Sequence, residues 1–300
     1  MAANLELFVM DTNNRGTGSS GDPQSGANGT IPWILRIGSA CCFVGHGVFG
    51  VITKAAWVPY FAVAGVGEPM AWRLMPWVGW MDIAIGLLVL LWPCRALHVW
   101  GVVWCVWTAL LRPLSGEPFW ESLERAGNYG VPLAILAAVG LGGPAFGRLP
   151  WKWPELRLGT RRRLVRVLHA VTLTLLVGHA GLGLFSHKAG LAQHYAAVGF
   201  TSPGALVPLI GALEFMLAGV LFFSPRPGLL IFVCLWKVTS ESLFLVSGAP
   251  IWELIERGGS YAAPLALAVL LAHERKSPAS LPQPIEMADR PRIGGTVTTA

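Results

Sequence analysis

The 300-residue sequence predicts an all-α polytopic membrane protein, with eight transmembrane helices forming two tandem four-helix bundles in the same orientation. Three observations carry this prediction. Hydrophobic residues make up 54% of the chain and charged residues 13%, at a mean hydropathy of +0.57, whereas soluble domains carry about a quarter charged residues. Eight apolar runs follow one another, at about 34–53, 75–92, 96–112, 118–141, 164–185, 205–223, 228–246 and 250–272. A 20-residue segment also occurs twice. This balance excludes a disulfide-stapled secreted module, a disordered tail protein and a nucleic-acid binder. The five cysteines (Cys41, Cys42, Cys94, Cys105 and Cys234) lie in or beside apolar runs with no CxxC and no zinc spacing. They read as buried thiols, and no metal site is expected.

Most runs are long enough to cross a hydrocarbon core of about 30 Å at about 1.5 Å per residue. They are continuous rather than alternating, which favours helices over barrel strands. Residues 1–33 are polar and rich in Gly, Ser and Asn, and read as a flexible tail. They lack the basic start and apolar middle of a cleavable signal peptide, so the first run is expected to stay in place and to direct insertion. The membrane units span 34–146 and 164–273, joined by a basic linker at 147–163, and a second tail covers 274–300. In the last run only Tyr261–Ala272 is cleanly apolar, a length of about 18 Å. Crossing therefore recruits Pro250–Ser260 and brings Glu253, Glu256 and Arg257 to the membrane's edge.

Orientation follows from the basic residues. With both termini inside, 15 of the 22 Lys and Arg fall on the inner side, which places the chain N-in and C-in in a plasma (bacterial inner) membrane. The net charge of +6 then reports topology and anionic headgroups rather than a nucleic-acid partner.

Self-similarity is the strongest feature. Ser115–Ala134 reads SGEPFWESLERAGNYGVPLA and Ser247–Ala266 reads SGAPIWELIERGGSYAAPLA, identical at 12 of 20 positions at an offset of 132. Upstream, Pro93 meets Pro225, Trp104 meets Trp236, Asp82 meets Glu214, Gly79 meets Gly211 and Pro76 meets Pro208. A small shift aligns Val44-Gly45-His46 with Val177-Gly178-His179, and Lys54 with Lys188. Four helices per copy is an even number, so both copies enter from the same side, related by an axis along the membrane normal.

On these residues each copy resembles the DoxX/DoxD-like group of four-helix bacterial membrane proteins. The likeness lies in Arg36 or Arg166 at the start of the first helix and in a Gly-rich first helix ending in Lys (GHGVFGVITK). A second helix with one acid before small residues (MDIAIGLLVLLWP, EFMLAGVLFFSP) completes it. The resemblance covers most of 34–273 and implies a subunit that accompanies quinone-linked or thiol-linked redox assemblies. The duplication, the first-helix His and the WExxERxGxY segment are departures from that pattern.

Candidate site residues fall in one polar layer per copy, toward the outer face. His46 lies about 18 Å along the first helix and Asp82 about 10 Å below the outer edge; His179 and Glu214 repeat them. Intramembrane acids are functional candidates by default, and a His46–Asp82 and a His179–Glu214 bridge are expected. Two such imidazoles are also the axial pair of a b-type haem, although their small neighbours serve ordinary helix packing equally well. No cofactor is required; a quinone is the one admitted by the resemblance, with haem disfavoured. Glu121 with Arg125, and Glu253 with Arg257, stand at i,i+4 and form local salt bridges. Glu124 and Glu256 are then left to face Lys54, Lys188 or a proton path. Lys237 and Glu241, also at i,i+4, have Cys105 and Ala109 as their first-copy counterparts, so a mutually neutralising pair is expected in one copy only.

Among the 14 Trp, Trp57, Trp72, Trp77, Trp107 and Trp120 fit an outer aromatic belt, and Trp33, Trp92, Trp151 and Trp153 an inner one. Trp80, Trp100 and Trp104 point into helices, where lipid or helix packing is favoured over a quinone or pigment contact. Pro132 and Pro264 are expected to interrupt the two fourth helices. There is no P-loop, GxGxxG, HExxH or GxSxG, which leaves no catalytic motif. Three function classes stand: an accessory subunit of a membrane redox assembly, with lipid and a redox partner subunit as its contacts; a small-solute or proton-coupled transporter; and a purely structural subunit.

Overall fold

The computed structural model describes residues 23–276, with side-chain surroundings for 29–273. These residues form α-helices joined by loops and one short 3-10 turn, with no strand among them. The helices are α1 (Pro23–Val51), α2 (Val58–Val63), α3 (Glu68–Leu91), α4 (Arg95–Leu114), α5 (Trp120–Glu124) and α6 (Ala126–Val139) in the first half. The second half holds α7 (Leu158–Leu184), α8 (Ala189–Ala197), α9 (Pro203–Phe223), α10 (Pro227–Val246), α11 (Trp252–Ile255) and α12 (Gly258–Lys276). Six of them (α1, α3, α4, α7, α9 and α10) are long and apolar enough to cross a membrane. The tails expected at 1–33 and 274–300 lie mostly outside the described residues. Within them, 23–33 is already helical as part of α1, and 274–276 closes α12.

The remaining apolar runs differ from expectation. Runs 118–141 and 250–272 are each split in two, leaving α6 with 14 residues, or about 21 Å of helix. The splits fall at Arg125 and at Glu256–Arg257 rather than at the prolines; Pro132 and Pro264 sit inside α6 and α12. Their cause is visible in the hydrogen bonds. In a continuous helix the carbonyl of Glu121 would accept the backbone N–H of Arg125. It accepts the Arg125 side chain instead, Nη1 donating at 3.1 Å. Glu253 and Arg257 repeat this at 2.7 Å. Each arginine side chain takes the carbonyl that its own backbone N–H gives up.

The buried helices are α1, α6, α7 and α12, whose Leu35, Ile135, Leu164, Leu168, Leu175, Leu176 and Leu267 are almost inaccessible. Helix α1 packs on α3 of its own half and on α12 of the other, while α7 packs on α9 and on α6. Helices α6 and α12 meet at Gly127 and Gly259, where a Cβ on either glycine would collide with the opposite backbone. The outward helices expose large apolar side chains, among them Trp77, Trp80, Val103, Leu209, Met216, Phe223 and Leu235. An apolar surface of this extent is suited to lipid contact.

The connection between halves is strapped to the bundle. Leu149 N–H donates to Pro93 C=O at 2.7 Å, Arg36 Nη2 donates to Pro150 C=O at 2.6 Å, and Leu149 and Trp153 are buried. Trp153 therefore belongs to the core and not to an aromatic belt. Trp57, expected at the outer belt, is also buried, 5% exposed against His46 and Phe49. Trp80 and Trp100 are exposed.

Candidate functional site

One end of the bundle carries α2, α5, α8 and α11, and the ionisable residues gather beneath it. Lys54, just beyond α1, reaches Glu253 on α11 at 2.5 Å. Its counterpart Lys188, just beyond α7, holds Glu121 on α5. Each lysine thus crosses to the opposite half. The approach depends on glycine: a Cβ on Gly45 would stand 2.5 Å from the Glu256 backbone nitrogen, and one on Gly178 would collide with Glu124 in the same way.

Arg125 Nη1 binds Glu121 and Glu124, each at 2.7 Å, and Arg257 Nη1 binds Glu253 at 2.9 Å and Glu256 at 3.1 Å. Glu124 and Glu256 are therefore not left over, because each arginine serves two carboxylates. The lysines go to Glu121 and Glu253 instead. Arg257 Nε also reaches Glu241 at 2.7 Å and stands 3.7 Å from Glu124, while Lys237 pairs with Glu241 at 2.7 Å. The Lys237–Glu241 pair is mutual, as expected, and is also wired into the larger cluster. On the first-half side Arg112 binds Glu117 at 3.1 Å and approaches Glu121 at 3.7 Å. Six cations (Lys54, Arg112, Arg125, Lys188, Lys237, Arg257) meet six carboxylates (Glu117, Glu121, Glu124, Glu241, Glu253, Glu256). That balance is what allows so many charges to be buried together.

Two imidazole–carboxylate pairs flank the cluster. His46 Nδ1 meets Asp82 at 2.8 Å and His179 Nδ1 meets Glu214 at 2.5 Å, both carboxylates being inaccessible. The acids stand at the same place but differ in length, with a consequence for the neighbouring indole. Glu214 Oε1 accepts Trp236 Nε1–H at 2.7 Å. Asp82 Oδ1 and Trp104 Nε1, at the matching positions, are both buried and unbonded.

Beside His46 lies a cavity of about 220 Å³. Phe43, Trp57, Phe61, Leu74, Val78 and Trp104 form its apolar wall, and His46, Thr108, Arg112, Arg125, Asn128 and Glu256 its polar residues. The second half differs at the corresponding positions. Lys237 and Glu241 stand where the first half has Cys105 and Ala109, and Phe244 replaces Arg112, packing under Arg257 at 4.3 Å. An apolar cavity of about 150 Å³ admits benzene, so this one has room for a single substituted ring.

Several lining residues were not among the site residues expected from the sequence. Trp57 and Tyr60 lie on the 3-10 turn and α2, a segment too short to register as an apolar run; α8 is its counterpart in the second half. Tyr60 stacks under Arg112 and donates to Glu117, and burial raises its phenol above the ordinary range. On α8, burial lowers the His194 imidazole, which packs edge-on against Phe244. Cys42, Cys105 and Asn128 also line the cavity, and only the placement of α1 against α4 and α6 brings them there. No cluster of three or more metal-ligating side chains occurs among the described residues.

Fold and site together define a helical, lipid-facing protein with a charge-balanced layer buried at one end. No family model, curated protein or solved structure matches the chain.

Proposed function

We propose that the chain is a DoxX-like tandem duplication of eight membrane spans, N-in and C-in in the bacterial inner membrane, that binds a quinone ring in its first copy and serves as a non-catalytic subunit of a redox assembly. In this reading α5–α6 and α11–α12 complete the two four-helix units, and the charged end faces the extracytoplasmic side. The observation that carries the reading is the cavity: an apolar, aromatic-walled space of ring size with the His46–Asp82 pair beside it. With Nδ1 held by Asp82, Nε2 is the nitrogen left for a ligand, and a protonated imidazole donates there to a carbonyl oxygen. In this reading the electrons come from a partner subunit.

The test is saturable binding of a short-chain quinone analogue to the purified protein in lipid nanodiscs. Binding is expected in the parent and to fall at least about tenfold in His46→Leu. Absence of saturable binding, or an unchanged affinity in the variant, overturns the reading.

A transporter is the second reading, favoured by the matched helix breaks at Arg125 and Glu256–Arg257 beneath a buried charge layer. Paired breaks of this kind mark binding sites in transporters. Solute or proton flux in proteoliposomes that depends on Asp82 or Glu214 would select it.

A further inference from the structure

Of the residues that line the first-half cavity, three are exposed: Ala64 at the end of α2, Leu74 on α3 and Trp107 on α4. All three are apolar. The polar lining residues, His46, Thr108, Arg112, Arg125, Asn128 and Glu256, are half-buried or buried. The cavity therefore has an apolar mouth and a polar back. Leu74 lies six residues into α3 and Trp107 seven residues before the end of α4, so both stand about 10 Å below the helix ends nearest the charged layer. Helix α3 packs closely on α1 and α4 on α6, whereas α3 and α4 touch only sparsely, although a short turn at 92–94 joins them. The two helices splay toward the charged end, and the mouth lies between them. In a hydrocarbon core about 30 Å thick, an opening at that depth faces lipid. The end of the cavity toward water is covered by α2. Trp57 is buried there, and Tyr60 donates to Glu117 and accepts Arg112 Nη1–H at 3.0 Å, which fastens α2 to the end of α4.

We propose that the cavity is entered sideways from the bilayer, between α3 and α4, and takes the ring of a membrane-dissolved ligand whose alkyl or prenyl tail stays in lipid past Leu74 and Trp107. The proposal rests on the quinone reading above and adds the route of entry and the tail as part of what is recognised. A space of about 220 Å³ takes one substituted ring, since about 150 Å³ takes benzene, and leaves no room for a long chain. The chain leaves where the lining is exposed, and there it meets only apolar side chains. A ring that carries charged groups and arrives from water is disfavoured, because a charge passing Leu74 and Trp107 is desolvated without a partner.

The experiment uses the full chain in nanodiscs and a quinone analogue whose decyl tail carries a diazirine close to the ring. After photolysis, adducts mapped by peptide mass spectrometry are expected within 73–78 of α3 and 103–110 of α4, and an excess of a tailless quinone is expected to suppress them. Adducts on α2 instead, or adducts on α3 and α4 that the excess does not suppress, overturn the proposal. Leu74→Trp narrows the mouth without touching the polar back. It is expected to weaken binding of the tailed analogue at least about tenfold and to leave the affinity of the tailless quinone within about twofold, both corrected for partition into lipid. Unchanged binding of the tailed analogue, or equal losses for the two, overturns the proposal while leaving the quinone reading intact. Should Leu74→Trp fail to fold, the photolysis of the parent protein decides. Binding of neither analogue to the parent overturns both readings.

Discussion

Arg257 shows what a single side chain does in this fold. It is 8% exposed and lies against four carboxylates, those of Glu124, Glu241, Glu253 and Glu256. Its Nη1 also takes the Glu253 carbonyl released by the helix break. Removing one partner from a buried ionic cluster leaves uncompensated charge, at a cost of about 3–5 kcal/mol. Arg257→Leu is expected to destabilise by that amount, read as a lowered denaturant midpoint in micelles with the parent as reference. Lys54→Met, which removes a half-exposed partner of Glu253, should cost much less, about 1 kcal/mol or below. Equal losses in the two variants would show that burial does not set the worth of these pairs. Glu214→Asp tests the smaller term. It withdraws the acceptor of Trp236 Nε1–H and reproduces the unbonded state of Trp104, with an expected loss of about 1–3 kcal/mol.

At the scale of elements, α1 and α7 fit against the opposite half because Gly45 and Gly178 let the backbones of Glu256 and Glu124 come within contact. Gly45→Val and Gly178→Val are each expected to abolish the folded, monodisperse species in size-exclusion chromatography, since backbone cannot yield as a flexible side chain can. The lysines at the ends of the same helices offer a gentler probe. Lys54→Glu and Glu253→Lys should each lower the unfolding temperature, and the double reversal should recover part of the loss. No recovery would mean that the cross-half pair is not the source of either effect.

What could be read in advance follows from the length of the signal. Long apolar runs gave six of the helices, although α1, α3 and α7 begin well before their apolar stretches. The two imidazole–carboxylate pairs were legible because an isolated acid in an apolar run needs a partner, and a His stands at a similar depth on the neighbouring helix. Helices α2 and α8 were not legible, since six and nine residues leave no periodic trace. The breaks at Arg125 and Arg257 were hidden for a different reason. The prolines are the residues that usually break helices, whereas here arginine side chains competing for carbonyls do so. Sharing one guanidinium between Glu121 and Glu124 likewise depends on that break, which brings adjacent residues onto one cation.

At the scale of the whole molecule, matched residues of the two halves make matched contacts, and the halves differ at residues that line the first-half cavity. Lys54–Glu253 mirrors Lys188–Glu121, and Gly45 on Glu256 mirrors Gly178 on Glu124. Cys105 and Arg112, which line the first-half cavity, have Lys237 and Phe244 as their second-half counterparts. The geometry also ties α2, α5, α8 and α11 to a single end, because both cross-half lysines pair there and Arg257 approaches Glu124 between them. In the proposed N-in, C-in arrangement that end is extracytoplasmic, so cysteines near α2 and α8 must share one side and those around the central connection the other. Gly67, Gly190, Gly142 and Gly159 are open positions at which an added side chain meets nothing within 4 Å. In whole cells, Gly67→Cys and Gly190→Cys are expected to react with a membrane-impermeant maleimide, and Gly142→Cys and Gly159→Cys only after permeabilisation. The buried cluster makes the first half of this test independent of orientation. If Gly67→Cys and Gly190→Cys label from opposite sides, Lys54 and Lys188 cannot both reach carboxylates joined through Arg257, and the shared charge layer is wrong. If all four positions respond with the sides exchanged, the layer stands and the inward-facing end is the charged one.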